Sequence, residues 1–105
     1  MRSSMIIAVD YDDTLYVNGH MNHMLIRWLN ARKKAGDILI LWTCRYGRSL
    51  LEAVEKCQEA GLSFHLINEN TPQKIQQYKS NPRKIYADMY IDDKAVNAAE
   101  WRKNV

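Results

Sequence analysis

Cysteine is scarce in this chain: Cys44 and Cys57 are the only two, and they form neither a C-x-x-C pair nor a metal-type cluster. A disulfide framework is therefore excluded as the organising device, and two reduced thiols are expected. Long apolar runs are missing too. None approaches the roughly 18 residues that a membrane-spanning helix needs, and the start MRSSMIIAVD has neither the length nor the small-residue cleavage site of a secretory signal. A cytoplasmic protein with no membrane partner is the expectation. With no internal repeat, low-complexity tract or linker, the 105 residues make one domain, 1–105, around one core. A basic stripe is also lacking. The formal charge is +3, and the only cationic cluster is the small one at Arg32-Lys33-Lys34. That fits a weak attraction to anionic substrates and falls short of the pattern that by itself argues nucleic-acid binding.

What is present is a series of short apolar runs separated by helical patterns. Residues 5–10 are nearly all apolar, as in a strand covered on both faces of a parallel sheet. A polar loop from Tyr11 to about His20 follows, with Asn18-Gly19 as its turn. Met21, Met24, Leu25, Trp28 and Leu29 then recur at helical spacing, closed by Arg32-Lys33-Lys34 and Gly36. ILILWT, residues 38–43, is a second buried strand; Leu50 to Ala60 with Gly61 is a second helix; residues 63–67 are a third strand. Thr71 and Pro72 suit the N-cap and first position of a short helix to about Tyr78. A last strand is expected over 85–91 and a terminal helix over 95–103. Strands alternating with helices predict an α/β fold of three layers, Rossmann-like, with a parallel sheet of about four to five strands flanked by helices.

In such sheets ligands sit beyond the carboxyl ends of the strands. Asp10, Asp12, Asp13 and Thr14 follow the first strand, Thr43, Cys44 and Arg45 the second, and Asp92 and Asp93 the last. Two acid clusters some eighty residues apart would meet at one end of the sheet. Crowded carboxylates raise one another's pKa unless a cation neutralises them, and a hard, oxygen-seeking divalent ion such as magnesium does so most simply.

IIAVDYDDTL resembles the first motif of the haloacid dehalogenase superfamily, an apolar strand followed by D-x-D-x-T. LILWT is similar to its second motif, a strand ending in Thr or Ser, and ADMYIDD to its fourth, a strand ending in paired acids. The wording of the last looks like the deoxyribonucleotidase branch and small capless bacterial and phage members. The resemblance implies phosphoryl transfer through an aspartyl-phosphate: Asp10 as nucleophile, Asp12 as the acid and then the base. It also implies Mg2+ held by Asp10, the backbone carbonyl of Asp12, and Asp92, with Asp93 a ligand through water or an orienting neighbour. Thr43 and the amides around Asp12 and Asp13 would bind the phosphate oxygens. Asp13 stands where many relatives carry Gly, and Asp tolerates the left-handed backbone such a position often needs. Thr14 is expected to brace the turn.

The family's phosphate-steadying lysine is Lys84 by resemblance or Lys74 by position. If residues 84–91 were all extended, Lys84 would lie about 26 Å from the acids, so it serves only where the strand is short and the chain turns back near Ala87. Arg45 either clamps the substrate phosphate or pairs with Asp88 or Asp93. Cys44 lacks the Arg six residues on that a thiol phosphatase needs, since position 50 is Leu. His20, His23 and His65 are assigned ordinary surface and packing roles, and Trp28, Trp42 and Trp101 core positions.

Only thirty-two residues separate Asp10 from Thr43, which leaves no room for the cap domain that larger relatives insert. The expected function is a magnesium-dependent phosphomonoesterase with an open site. Its substrate would be a phosphorylated small molecule, a nucleotide or a polynucleotide end, and a homo-oligomer could cover the site. The alternatives are a non-catalytic phosphate- or metal-binding or assembly domain, and a phosphotransferase to an acceptor other than water.

Overall fold

A computed structural model describes residues 4–99. Four strands, β1 (Ile6–Val9), β4 (Ile38–Leu41), β5 (Leu66–Ile67) and β6 (Met89–Ile91), form one parallel sheet in the order β5-β4-β1-β6. Three helices flank it: α1 (His23–Lys34), α2 (Gly47–Glu59) and α3 (Pro72–Tyr78). Among the described residues no helix is long and apolar enough to cross a membrane.

β1 is paired on both edges and covered on both faces, which is why all four of its residues are apolar and buried. Side chains alternate across the sheet. Ile7 and Val9 join Leu39 and Leu41 on one face, where Ile26 and Leu29 of α1 and Ala53 and Cys57 of α2 close the larger core. Ile6, Ala8 and Ile40 point to the other face and meet Ile85 and Ala87. α1 begins where the Asn22 side chain accepts from the Leu25 amide at 3.2 Å, and Thr71 caps α3 with Pro72 in first position, as its sequence suggests. The loop after β1 holds a small hairpin, β2 (Tyr16–Val17) and β3 (His20–Met21). Asn18 and Gly19 both take positive φ at its turn, the pairing a tight hairpin requires.

Four expectations need correction. The last strand starts at Met89 instead of 85. Residues 85–87 lie on the sheet face, because the fully buried Asn70 holds that segment: its Oδ1 accepts from the Tyr86 amide at 2.7 Å and its Nδ2 donates to the Pro82 carbonyl at 3.2 Å. The chain reverses at Asp88, which gives its amide to the Ile6 carbonyl and accepts the Ile6 amide on Oδ2, both at 2.7 Å. The third strand is only Leu66–Ile67, and residues 95–99 are turn and irregular chain instead of helix. The rest of the expected terminal helix, with Trp101, lies outside the described residues. Finally, Trp28 is 40% exposed and is not a core residue, whereas Trp42 is half-buried and packs against the second core.

Asn70→Ala would strand the half-buried Tyr86 amide and release the segment covering the second face. A loss of about 2–3 kcal/mol is expected, measured as a lower urea midpoint.

Candidate functional site

The Asp10 amide donates to the Ile91 carbonyl at 3.0 Å, so the carboxyl ends of β1 and β6 stand level. That pairing brings Asp10, Asp92 and Asp93 together, with one carboxylate oxygen of each within 4.8 Å of the others. Asp12 is not in this group. The Tyr11 amide holds Asp10 Oδ1 at 2.8 Å and fixes the carboxylate's rotation. Burial pushes the Asp10 carboxyl above its ordinary value; the Tyr11 amide opposes this, and the charges of Asp92, Asp12 and Asp93 add to it. A half-buried carboxylate raised by its acidic neighbours is a group that a cation would relieve, and three convergent hard oxygens suit magnesium. Lys94, directly after the acidic pair, donates to Asp93 Oδ2 at 3.2 Å and holds that carboxyl below the usual range.

Asp10 and Asp92 share a cleft of about 270 Å3 with Trp42, Thr43 and Cys44. Thr43 follows β4 and is fixed by its amide, which donates to Asn68 Oδ1 at 2.8 Å. Its Oγ1 accepts the Arg45 amide at 3.1 Å, leaving the hydroxyl hydrogen free to donate. Arg45 grips Asp12 through two bonds, Nη2 to Oδ1 at 2.8 Å and Nε to Oδ2 at 3.0 Å. Nη1 of Arg45 donates to the Ser49 carbonyl at 3.2 Å, and the guanidinium lies 4.8 Å over the Tyr11 ring. This grip holds the Asp12 carboxyl below the usual carboxylate range. The ion pair expected of Arg45 with Asp88 or Asp93 is thus made with Asp12 instead, since Asp88 lies by Ile6 at the opposite end of the sheet.

Asp13 has φ 60°, the left-handed conformation anticipated for it. Its amide, however, donates to the Tyr16 carbonyl at 2.9 Å and is not available to a phosphate; that of Asp12 has no partner among the described residues. Thr14 is buried and braces the turn through its backbone, its amide bonding to the Tyr11 carbonyl and its carbonyl accepting from Asn22 Nδ2. The short β6 and the reversal at Asp88 meet the condition under which Lys84 could serve. Even so, Lys84 lines a separate cavity with Tyr78, Tyr86 and Tyr90, and Lys74 places its ammonium 4.0 Å over the Tyr86 ring. Neither lines the acid cleft. Cys44 is exposed at the cleft, whereas the buried Cys57 thiol is pushed up to about 11 and packs as an apolar group. His65 is an exposed residue whose Nδ1 accepts the Leu39 amide at 2.9 Å.

Sequence reasoning missed Lys94, Trp42 and Asn68. Adjacency to the acidic pair could have shown Lys94, and position before Thr43 could have shown Trp42. Asn68 meets Thr43 only through the β4–β5 pairing.

No family model and no curated protein matches the chain. A solved structure of a conserved protein coded by locus from Bacteroides thetaiotaomicron superposes with a TM-score of 0.76 at 34% identity, covering 90% of this chain and 79% of that one. The chain belongs to the family of that Bacteroides protein. Likeness to the Bacteroides protein speaks for the shared fold, and the chemistry must be argued from the side chains above.

Because the folded pKa of Asp10 lies above its unfolded value, ionising Asp10 weakens the fold. The weakening is absent below the ordinary value of 3.8 and complete above the folded pKa. At neutral pH with chelator, Asp10→Asn should raise Tm by a few degrees. Magnesium should raise the Tm of the wild type and leave that of Asp10→Asn unmoved, as differential scanning fluorimetry would record.

Proposed function

We propose that the protein is a magnesium-dependent phosphomonoesterase of the haloacid dehalogenase type. The observation that carries this reading is the convergence of Asp10, Asp92 and Asp93 at the carboxyl end of the sheet, beside Thr43 in one cleft. Magnesium bound by these carboxylates would screen them from an approaching phosphate and draw charge from its oxygens. Asp10, held by the Tyr11 amide, attacks phosphorus while the bond to the leaving oxygen breaks, giving an aspartyl-phosphate. The Thr43 hydroxyl and the Asp12 amide donate to the phosphate oxygens as charge builds there. Asp12 gives a proton to the leaving oxygen, then takes one from the water that reopens the acyl phosphate and restores Asp10.

Asp12 must carry a proton for the first step, and in the resting site the Arg45 hydrogen bonds hold its carboxyl below the usual range, which opposes that. An incoming phosphate competes for the same guanidinium. Once Arg45 turns to the phosphate, that lowering is lifted, and the negative charge of the phosphate raises the Asp12 carboxyl. Arg45, with Lys94 beside Asp93, then supplies the positive charge expected of Lys84 or Lys74.

The same ion pair supports a second reading. Were Arg45 to stay on Asp12 throughout, the domain would bind metal and phosphate without turnover, as an assembly or sensing module.

Phosphate release from p-nitrophenyl phosphate, nucleoside monophosphates and phosphorylated oligonucleotides, with and without chelator, separates the two. Asp10→Asn is expected to abolish turnover. Asp12→Asn should slow it by about 10²–10⁴-fold and leave phosphorylated protein visible by intact mass spectrometry. Hydrolysis surviving in Asp10→Asn would sink the mechanism; silence across the panel from folded, magnesium-loaded protein would favour the binding reading.

A further inference from the structure

Residues 70–87 carry Lys74, Lys79, Arg83 and Lys84 and no acid, so four of the fifteen cations and none of the twelve acids fall there. The fold lays part of this segment over the second face of the sheet, where Ile85 and Ala87 pack on Ile6, Ala8 and Ile40. There, Tyr78, Tyr86, Tyr90, Ser80, Pro82 and Lys84 line a cavity of about 550 Å3, roughly twice the volume of the acid cleft. Two of the rings are locked. The Tyr86 hydroxyl donates to Asp88 Oδ1 at 2.8 Å, and the Tyr90 hydroxyl donates to the Ile85 carbonyl at 2.6 Å while accepting the Ala87 amide at 3.1 Å.

Folding does not account for the rest. Tyr78 is 46% exposed and its hydroxyl has no hydrogen-bond partner, and the side chains of Lys79, Arg83 and Lys84 make no ion pair or hydrogen bond among the described residues. Cations alone would be an ordinary solvated face. Here they alternate with aromatic rings, and the rings continue toward the acids: Tyr90 is 39% exposed and tilts against Trp42 at 5.4 Å between centroids, and Trp42 also lines the acid cleft.

We propose that this face binds single-stranded nucleic acid, with bases stacked on Tyr78 and Tyr90 and backbone phosphates beside Lys84 and Lys74. Exposed rings interleaved with cations are what a flexible polyanion with planar bases can use, since every base offers a stacking face. A duplex hides those faces, and a phosphorylated peptide has no row of planes to match them. The route past Trp42 would deliver a terminal phosphate to Asp10, which deepens the phosphomonoesterase reading and rests on it. Binding to the face itself does not.

The test is fluorescence anisotropy of a labelled oligothymidylate without a terminal phosphate, titrated with the full chain over a salt series starting at about 50 mM. Micromolar binding that weakens with salt is expected. Tyr78→Ala should weaken it about tenfold, with hydrolysis of p-nitrophenyl phosphate unchanged, and Lys84→Gln should reduce the logarithmic salt slope by about 0.7. The proposal is overturned if the folded wild type binds no single strand at the lowest salt, or binds a duplex or a phosphopeptide equally well. It is equally overturned if both variants bind as the wild type does. Because the probe carries no phosphomonoester, a failure of the catalytic reading would leave this result standing, and the reverse also holds.

Discussion

The Asp10 amide reaches the Ile91 carbonyl at 3.0 Å, and the Trp42 amide reaches the Val9 carbonyl at 2.9 Å. Through these two bonds the central strand β1 draws the ends of β6 and β4 level with its own. Asp10 meets Asp92 because of the first bond, and Thr43 faces Asp10 because of the second. The chain thereby accumulates negative charge at a half-buried point where burial already disfavours it. What holds the acids in place is remote from them: four buried apolar residues in β1, the register of Ile7 with Leu39 and Met89, and a core closed by α1 and α2. Strand pairing and apolar burial together outweigh a local repulsion that a bound cation would remove.

The two faces of the sheet are covered by different means. On one, helices supply Ile26, Leu29, Ala53 and Cys57 at helical spacing. On the other, Ile85 and Ala87 sit on irregular chain whose backbone polar groups need partners of their own. Asn70 supplies two of those partners and Tyr90 two more. Tyr78 and Tyr90 line the cavity on this face, and Tyr90 tilts against Trp42, which lines the acid cleft. Arg45 shows the same economy at the other rim, since one guanidinium pairs Asp12, bonds Ser49 and lies over Tyr11.

The elements that rest on local pattern were legible. IIAV and ILIL declare doubly buried strands, Thr71-Pro72 declares a helix start, and Asn18-Gly19 declares a turn whose two positive φ angles the fold realises. Asp13 in the left-handed region follows from the same local logic. Residues 85–91 misled because Ile85 and Ala87 are apolar for a reason that periodicity does not separate from strand membership. They cover a sheet face, and the instruction to do so is held by Asn70, which lies sixteen residues from Tyr86. Trp28 misled likewise, since an aromatic at helical spacing is read as core until its exposure is known.

By itself the sequence determined the kind of fold and the tips of the strands where chemistry would lie, because apolar runs, caps and turns act over a few residues and leave their mark in order. Only the tertiary structure decided which charges meet. Asp10 with Asp92 and Asp93, Arg45 with Asp12, and Lys84 among three tyrosines are each products of strand order and of a chain reversal at Asp88. The physical reason is range. Propensity and burial periodicity are set by near neighbours, whereas a pairwise charge interaction depends on a distance that is defined only once the sheet has closed.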